Sequence, residues 1–550
     1  MNDHNEISRS PFWKKAGLTI KQTPPEKAFY AGLSILVAAL CVFVALGIYL
    51  RSKTITVPAY NTTLSIGTLE QPRYFTPVYA SQDTEKIISG LLYAGLYKKS
   101  SDGSYVYDLA SNIVKSETGT EIDVTLRDDI SFANGDPITS DDVIFTYKLL
   151  SDPQVRSIDK VRYEGLEFQK VSDTNFVIHL KKPFPFIEEL LTAGVLSQKE
   201  YADKSLDNFV ISELNQDSVS SGMYEVNSKT LDNGAKLEKL ELVSNANYKG
   251  KRPYIKYINI YYYPNKASLS KAFNNQDIDI VFDADTEIKN AITKKNYSES
   301  TYAIPRIVAI FLNGNKKDSF AKKYNREEIY EAVDRNKFID LGIPTYDMLP
   351  SSERLATSSV TEFSTSTFTL TLPDMDRRID VATKIKDMLS AKGITVNLDI
   401  KDQNELNQNT IRNRDYEAIL STIEVQNPGD LYAFWHSSQR NAPGLNISSY
   451  TSKIFDSNLE NIKTAANSTN IQSYLDGLRT EFYSEYPYIP LYTPTRQVIY
   501  RDNLEATFPK QTSTSRDLIS NIDNWYNSTE KVWSIFNKEN IINKIYTLLH

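Results

Sequence analysis

Side chains able to bind metal or to drive nucleophilic chemistry are few and far apart in this sequence. The four histidines, His4, His179, His436 and His550, are scattered over 550 residues, and none stands at the HExxH or comparable spacing that puts two imidazoles on one zinc ion. Cys41 is the single cysteine, so neither an intrachain disulfide nor a multi-cysteine metal site can form. No GxSxG elbow, Walker A loop or GxGxxG fingerprint occurs, which removes the motif-encoded routes to hydrolase, NTPase and dinucleotide enzyme. Carboxylates are the exception. With 69 Asp and Glu, a pair brought together by folding could serve a glycosidase without any local motif, although two acidic residues picked from sequence are ordinarily solvated surface charges.

The elements that would position such residues belong to a large folded chain. A length of 550 residues with 41% hydrophobic content can bury more than one core, and at about 100 to 200 residues per domain at least two domains are expected. The 35 Tyr and 23 Phe are unlike the aromatic-poor composition of disordered chains. A formal charge of −7 and a pI near 5.5 offer no basic surface for a phosphate backbone, so no nucleic-acid partner is expected.

Ala28 to Leu50 runs without a charged residue, and at roughly 1.5 Å rise per residue it reaches about the 30 Å of a bilayer's hydrocarbon core. Lys14, Lys15, Lys21 and Lys27 precede it, against Arg51 and Lys53 just after it. The positive-inside bias therefore places residues 1–27 in the cytoplasm, 28–50 in the membrane as a single-pass anchor, and the globular part outside the cell. A cleaved signal peptide has a shorter apolar region, about 7 to 15 residues, that ends in small residues; Tyr49, Leu50 and Arg51 are not small. Cys41 follows the bulky Leu40 and precedes further apolar residues, so it reads as a buried apolar cysteine rather than a lipid-modified one.

Residues 51–63 are polar and Pro-containing and read as a linker, with the first strand at Leu64 to Gly67. Within 121–151, strand alternation gives way to an Asn134-Gly135 turn and then to a helix opened by Thr139 with Asp142 three residues on, a capping-box start, with Val143, Tyr147 and Leu150 on one face. Further along, FTLTL at 368–372, a helix with Val381, Ile385, Met388 and Leu389 at helical spacing, Gly393 and the strand ITVNLDI make a βαβ unit with parallel strands. Ser351 to Thr367 is rich in Ser and Thr and reads as a surface connection. The fold class is α/β.

Several segments in fixed order resemble the peptide, dipeptide and oligopeptide solute-binding proteins of bacterial ABC importers, the family 5 extracellular solute-binding proteins. They are LYAGLYKKSSDGSYVYDLASN at 92–112, VTLRDDISFANGDPITSDDVIFTYKLL at 124–150, SSGMYEV at 220–226, NANYKGKRPYIKYINI at 245–260, the helix from Arg326 to Ile339, GLNISSYTSKIFDSNLE and EFYSEYPYIPLY. The likeness covers roughly residues 60 to 505. It implies a two-lobed periplasmic-binding-protein-like fold with an inserted second lobe, preceded here by one transmembrane helix: lobe I at 64–262 with a subdomain near 93–200, lobe II at 263–490, and a return to lobe I with a C-terminal tail at 491–550. INIYYYP and IPLYTP stand where the resemblance puts the crossings between lobes.

The same resemblance implies a monomeric, non-catalytic binder that captures a peptide ligand in the interlobe cleft, using no cofactor and no metal, and delivers it to ABC importer permease subunits. Family members hold the peptide's α-ammonium with an aspartate shortly before an Asp-Pro. Here the loop reads STIEVQNPGDLYAFW, so Asn427-Pro428 replaces that pair and Glu424 falls at the carboxylate position, near Thr422. Leu69, Glu70, Gln71 and Tyr74 follow the first strand where the family's loop meets the peptide backbone, and Tyr432, Trp435, Asn446 and Tyr450 are further cleft candidates. The alternatives are a rim salt bridge for Glu424, core burial for the aromatics, and pairing of Arg326 with a neighbouring carboxylate. At the level of function they are a non-peptide solute, an anchored envelope hydrolase, or a ligand sensor.

Overall fold

The computed structural model describes residues 25–533 except 53, 101, 158–159, 203–213, 235, 294, 355–366 and 466–469. Residues 1–24 of the expected cytoplasmic segment, most of the Ser/Thr-rich connection before Thr367 and the tail beyond Trp533 lie outside the described residues.

The chain forms two compact units, Met1–Ala59 with Ser528–His550, and Tyr60–Asn527. In the first, Pro25–Ser52 is one helix, and its stretch Phe29–Tyr49 is long and apolar enough to cross a membrane, with none of it buried. Part of the expected linker is a strand rather than an irregular tether. Thr54–Pro58 pairs antiparallel with Thr529–Trp533, Thr54 opposite Trp533 and Pro58 opposite Thr529, and the N–H of Ala59 donates to the carbonyl of Ser528 at 2.9 Å. The pairing partner lies nearly five hundred residues away, beyond the reach of any local pattern.

In the second unit the strand Thr62–Thr68 lies parallel to both Ile255–Tyr262 and Ile280–Ala284. Leu237–Ser244 and Tyr224–Leu231 extend this sheet antiparallel. Period-two alternation places Leu64, Ile66, Ile258 and Ile260 in the first core. A separate antiparallel sheet follows the order Ala110–Lys115, Glu121–Leu126, Asn175–Leu180, Leu166–Lys170. Against it lies the helix Ser140–Ser151, which starts with the expected capping box: the Asp142 carboxylate accepts from the Thr139 N–H at 2.9 Å. Val143, Tyr147 and Leu150 are all buried. Gly135 has φ +88°, in the left-handed region that the Asn134-Gly135 turn needs.

A second core holds the expected βαβ unit. Thr367–Pro373 runs parallel to Thr395–Lys401, and the helix Asp376–Ser390 between them buries Val381, Ile385 and Leu389. Ala418–Glu424, parallel to Thr367–Pro373, pairs antiparallel with Arg306–Leu312.

The chain passes between the two cores at Ile304-Pro305 and along the single strand Tyr488–Arg501. The first half of that strand pairs with Arg306–Leu312 and its second half with Tyr297–Ala303 and Ile280–Ala284. IPLYTP does lie on this crossing strand. INIYYYP does not cross, because Ile255–Tyr262 sits inside the first sheet between two partners. The boundary drawn at 262/263 therefore moves to about 304. Leu269, Phe273, Val281 and Ile288 pack around Ile499 beside the first sheet, and Ile307 begins the second core. The sequence showed a strand followed by a proline there, which marks a strand end but not a change of core.

Candidate ligand-binding site

Between the two cores lies a solvent-open cavity of about 1510 Å³. One wall comes from the first sheet and the elements around it: Leu69 and Glu70 after the first strand, Asp83 and Thr84 at a helix start, Asp283 within the strand Ile280–Ala284 and Asp285 just after it, and Arg496 on the crossing strand. The opposite wall comes from the second core: Arg306 and Val308 on one strand, Thr422 and Glu424 on its neighbour, Arg377 and Arg378 in the first turn of a helix, and Tyr492.

The first wall is rich in carboxylates. Arg496 contacts Asp83 and lies 3.3 Å from Asp283. Burial works against ionisation of Asp83, but the Ser515 hydroxyl and Arg496 hold its carboxyl below the usual range. Asp283 is pushed up to about 6, first by burial and then by the charges of Asp83, Glu70 and Asp285, with Arg496 opposing. Its φ of +54° is left-handed, a conformation Asp tolerates better than most residues. Asp285 is neutralised by Lys266 at 2.6 Å. Glu70 accepts from the Thr84 N–H at 2.8 Å, and among the described residues no ion pair engages it.

The second wall carries cations. Arg306 and Glu424 are register partners, with Arg306 Nε 3.0 Å from Glu424 Oε2; the other Glu424 oxygen accepts from Gln426 Nε2 at 2.9 Å. Arg378 donates from Nη2 to the Thr422 hydroxyl at 2.6 Å. Burial, together with the neighbouring Arg377 and Arg306, lowers its pKa, with Tyr492 opposing. Among the described residues no carboxylate reaches Arg377 or Arg378 within ion-pair distance.

Of the residues expected in the cleft, Leu69, Glu70, Thr422 and Glu424 line this cavity. Gln71 turns away and donates to the Leu237 carbonyl at 2.9 Å. Tyr74 packs on the first core, its ring 5.1 Å from that of Tyr79. Asn427 caps the short turn Pro428–Asp430 and donates to Glu189 at 2.9 Å. Together with the bond from Arg162 Nη1 to Gln426 at 3.1 Å, this forms a polar bridge between segments of the two cores. Tyr432 stacks on His436 at 4.2 Å.

Trp435, Asn446 and Tyr450 are corrected to the second core. The short helix Leu431–Trp435 drives Trp435 inward, 4.3 Å from Tyr488 and 6.0 Å from Phe311, ring to ring. Asn446 is fully buried and donates to the Tyr450 carbonyl at 2.9 Å. The Tyr450 hydroxyl is bound to Glu481. Sequence reasoning missed Asp83, Asp283, Arg306, Arg377, Arg378 and Arg496. The one local signal was the Arg377-Arg378 pair in a helix's first turn, where the macrodipole is already positive and cations are disfavoured.

Two α/β cores joined by two chain passages, with a large charged cavity between them, define a two-lobed solute-binding fold. The chain matches, over residues 104–363, the family model described as bacterial extracellular solute-binding proteins, family 5 Middle. It is 23% identical over 522 residues to the oligopeptide-binding protein AppA of Bacillus subtilis, covering 86% of this chain and 93% of that one. The solved structure of that AppA in complex with a nonapeptide superposes with a TM-score of 0.62 at 20% identity, over 86% of this chain and all of AppA. The ABC transporter substrate-binding protein CtaP of Listeria monocytogenes superposes with a TM-score of 0.71 at 18% identity, over 85% of this chain and all of CtaP.

Proposed function

We propose that this chain is the membrane-held receptor of an ABC importer, which captures peptides between its lobes and hands them to the permease. The observation that carries the peptide reading is the size and polarity of the cavity. At about 1510 Å³ it exceeds the roughly 300–1,000 Å³ of sites for drug-sized molecules, and its lining mixes charged side chains with apolar ones such as Ile66, Phe282 and Val308. Solute-binding relatives named for oligopeptides and dipeptides support the same class of ligand. No catalytic step is assigned, so ligand binding and release constitute the activity.

Lobe I then comprises residues up to about 303 together with the segment after about 494, and lobe II the residues between them. Bending is confined to Ile304-Pro305 and to the middle of the strand Tyr488–Arg501. A ligand that touches both walls favours the closed arrangement, which is the form a permease distinguishes. The helix Pro25–Ser52 serves as an uncleaved anchor, with the N-terminus in the cytoplasm and the binding unit outside.

Native mass spectrometry of the protein extracted from membranes in mild detergent tests this reading. Copurifying masses that resolve into peptides are expected. A ligand-free protein that takes up no peptide from a digest would contradict it.

A further inference from the structure

Cations and tyrosines gather where the chain enters and leaves the unit Tyr60–Asn527. Tyr60 and Asn527 are its first and last residues, and the Asn527 side chain donates to the Thr63 carbonyl at 2.6 Å. The Tyr60 ring lies 4.7 Å from that of Tyr254, which in turn lies 6.0 Å from that of Tyr526. Lys249, Lys251, Arg252 and Lys256 stand close to Tyr254 in the sequence. The Arg252 guanidinium is 5.2 Å from the centre of the Tyr60 ring and donates to Asn61 at 3.1 Å. Lys251 is 5.3 Å from the centre of the Tyr254 ring and donates to Asn524, and Lys256 lies 5.1 Å over Tyr257. Tyr60, Lys249, Lys251 and Arg252 are exposed. Among the described residues none of these four cations has a carboxylate within ion-pair distance. At the edge of the cluster Arg127, which donates to the Lys249 carbonyl, holds Asp129 at 2.9 Å, and Lys98 holds the buried Asp523 at 3.4 Å. That leaves Asp128, beside Asp129, and Glu505, whose backbone pairs with Tyr526, as exposed carboxylates without a cation, fewer than the cations they border. The sign of this face is therefore opposite to that of the whole chain, which carries −7.

We propose that this face is a membrane-docking surface, and that its partner is the anionic headgroup layer of the bilayer holding the helix Pro25–Ser52. The proposal rests on the anchor reading above. Tyr60 follows Leu50, the last residue of the apolar run, so closely that a fully extended chain separates them by at most about 36 Å. A tether that short keeps the face around Tyr60 within reach of the headgroups. There the chemistry matches. Lys251 and Arg252 hold only neutral amide acceptors, which a lipid phosphate can replace, and a guanidinium fork fits a phosphate in particular. Tyrosine rings favour the headgroup level of a bilayer, where an apolar ring meets a wet hydroxyl. Each Lys or Arg close to an anionic surface adds to the attraction, which fades within a Debye length. None of these residues lines the large cavity. Docking therefore fixes how the unit stands on the membrane without touching the ligand.

The test is energy transfer in the full-length protein reconstituted into lipid nanodiscs. Cys41→Ser removes the single native thiol, and Ala246→Cys, at an exposed position beside the cluster, carries the donor dye; the acceptor is a headgroup-labelled lipid. Transfer is higher in discs of equal parts phosphatidylglycerol and phosphatidylcholine than in discs of phosphatidylcholine alone. It falls to the phosphatidylcholine level in 1 M salt, where screening shortens to about 3 Å. Changing Lys251 and Arg252 together to Gln lowers the ratio of docked to free protein about tenfold or more. The charge-keeping exchange of Lys251→Arg with Arg252→Lys retains docking, and all variants share one unfolding midpoint. Equal transfer in the two kinds of disc, or unchanged transfer in the double Gln variant, would overturn the docking surface and leave the anchor standing. A chain that fails to stay with the discs on gel filtration would refute the anchor reading and this proposal with it.

Discussion

Arg306 and Glu424 stand directly opposite one another on adjacent antiparallel strands, their charged ends 3.0 Å apart on the cavity wall. The carboxylate that the sequence offered for a ligand's ammonium already faces a guanidinium. Both side chains are close to half exposed, at 46% and 41%, and exposed pairs contribute little to folding. We expect Glu424→Ala and Arg306→Ala each to change unfolding free energy by less than about 1 kcal/mol in urea titrations. A change of several kcal/mol in either would show that the pair holds the second core together.

Trp435 gives the contrary case. It is 1% exposed and sits against Phe311 and Tyr488. Trp435→Ala should cost about 3–5 kcal/mol by the same titration, while ligand affinity measured below the unfolding transition stays within about threefold, or 0.7 kcal/mol. A variant of unchanged stability that loses affinity would return Trp435 to the cleft.

Asp283 should make stability depend on pH. Its carboxyl is pushed up to about 6 in the fold by burial, with Asp83, Glu70 and Asp285 adding to the effect and Arg496 opposing it; in the unfolded chain it titrates near 3.9. Between those values the folded state holds a proton that the unfolded state lacks. The residue's contribution to stability therefore falls as pH rises from about 4 to about 6 and stays low above that. Asp283→Asn, which keeps a side chain tolerant of the left-handed backbone, should be more stable than the wild type at pH 7 and converge with it below about pH 4. Parallel pH–stability curves for the two proteins would refute this.

The strand Thr54–Pro58 has its only sheet partner, among the described residues, in Thr529–Trp533. Deleting residues 528–550 should leave the unit Tyr60–Asn527 folded and binding ligand. It should also make the chain between 53 and 59 sensitive to limited proteolysis, because an unpaired strand is an open edge. Loss of the whole fold on this deletion would mean that the two units are not independent.

The parts of the fold that could be read from sequence are those set by short-range physics. The capping box at Thr139 and Asp142, the buried stripe Val381, Ile385 and Leu389, and the parallel strands flanking that helix all follow from spacing of three to four or of two, and all are present. Arg326 pairs with a carboxylate as expected, Glu485 at 3.0 Å, and also donates to the Phe320 carbonyl at 2.9 Å. Long-range partners were not legible. The pairing of Thr54–Pro58, the attachment of residues 263–303 to the first sheet and the approach of Arg496 to Asp83 and Asp283 all join segments far apart in the chain. The site suffered most. Glu424 was found through its loop, but its partner Arg306 lies 118 residues away, and Trp435 was drawn into the core by a helix too short to announce its direction.

The most direct test of the account is a calorimetric titration of a pool of random pentapeptides with free termini into the wild type and into Thr422→Trp, which fills the cavity beside Arg378. The account expects saturable binding to the wild type with one site per chain, and its loss in a variant whose circular dichroism and unfolding midpoint are preserved. Undiminished binding by that variant, or no binding by the wild type, would contradict the assignment of this cavity as the peptide site.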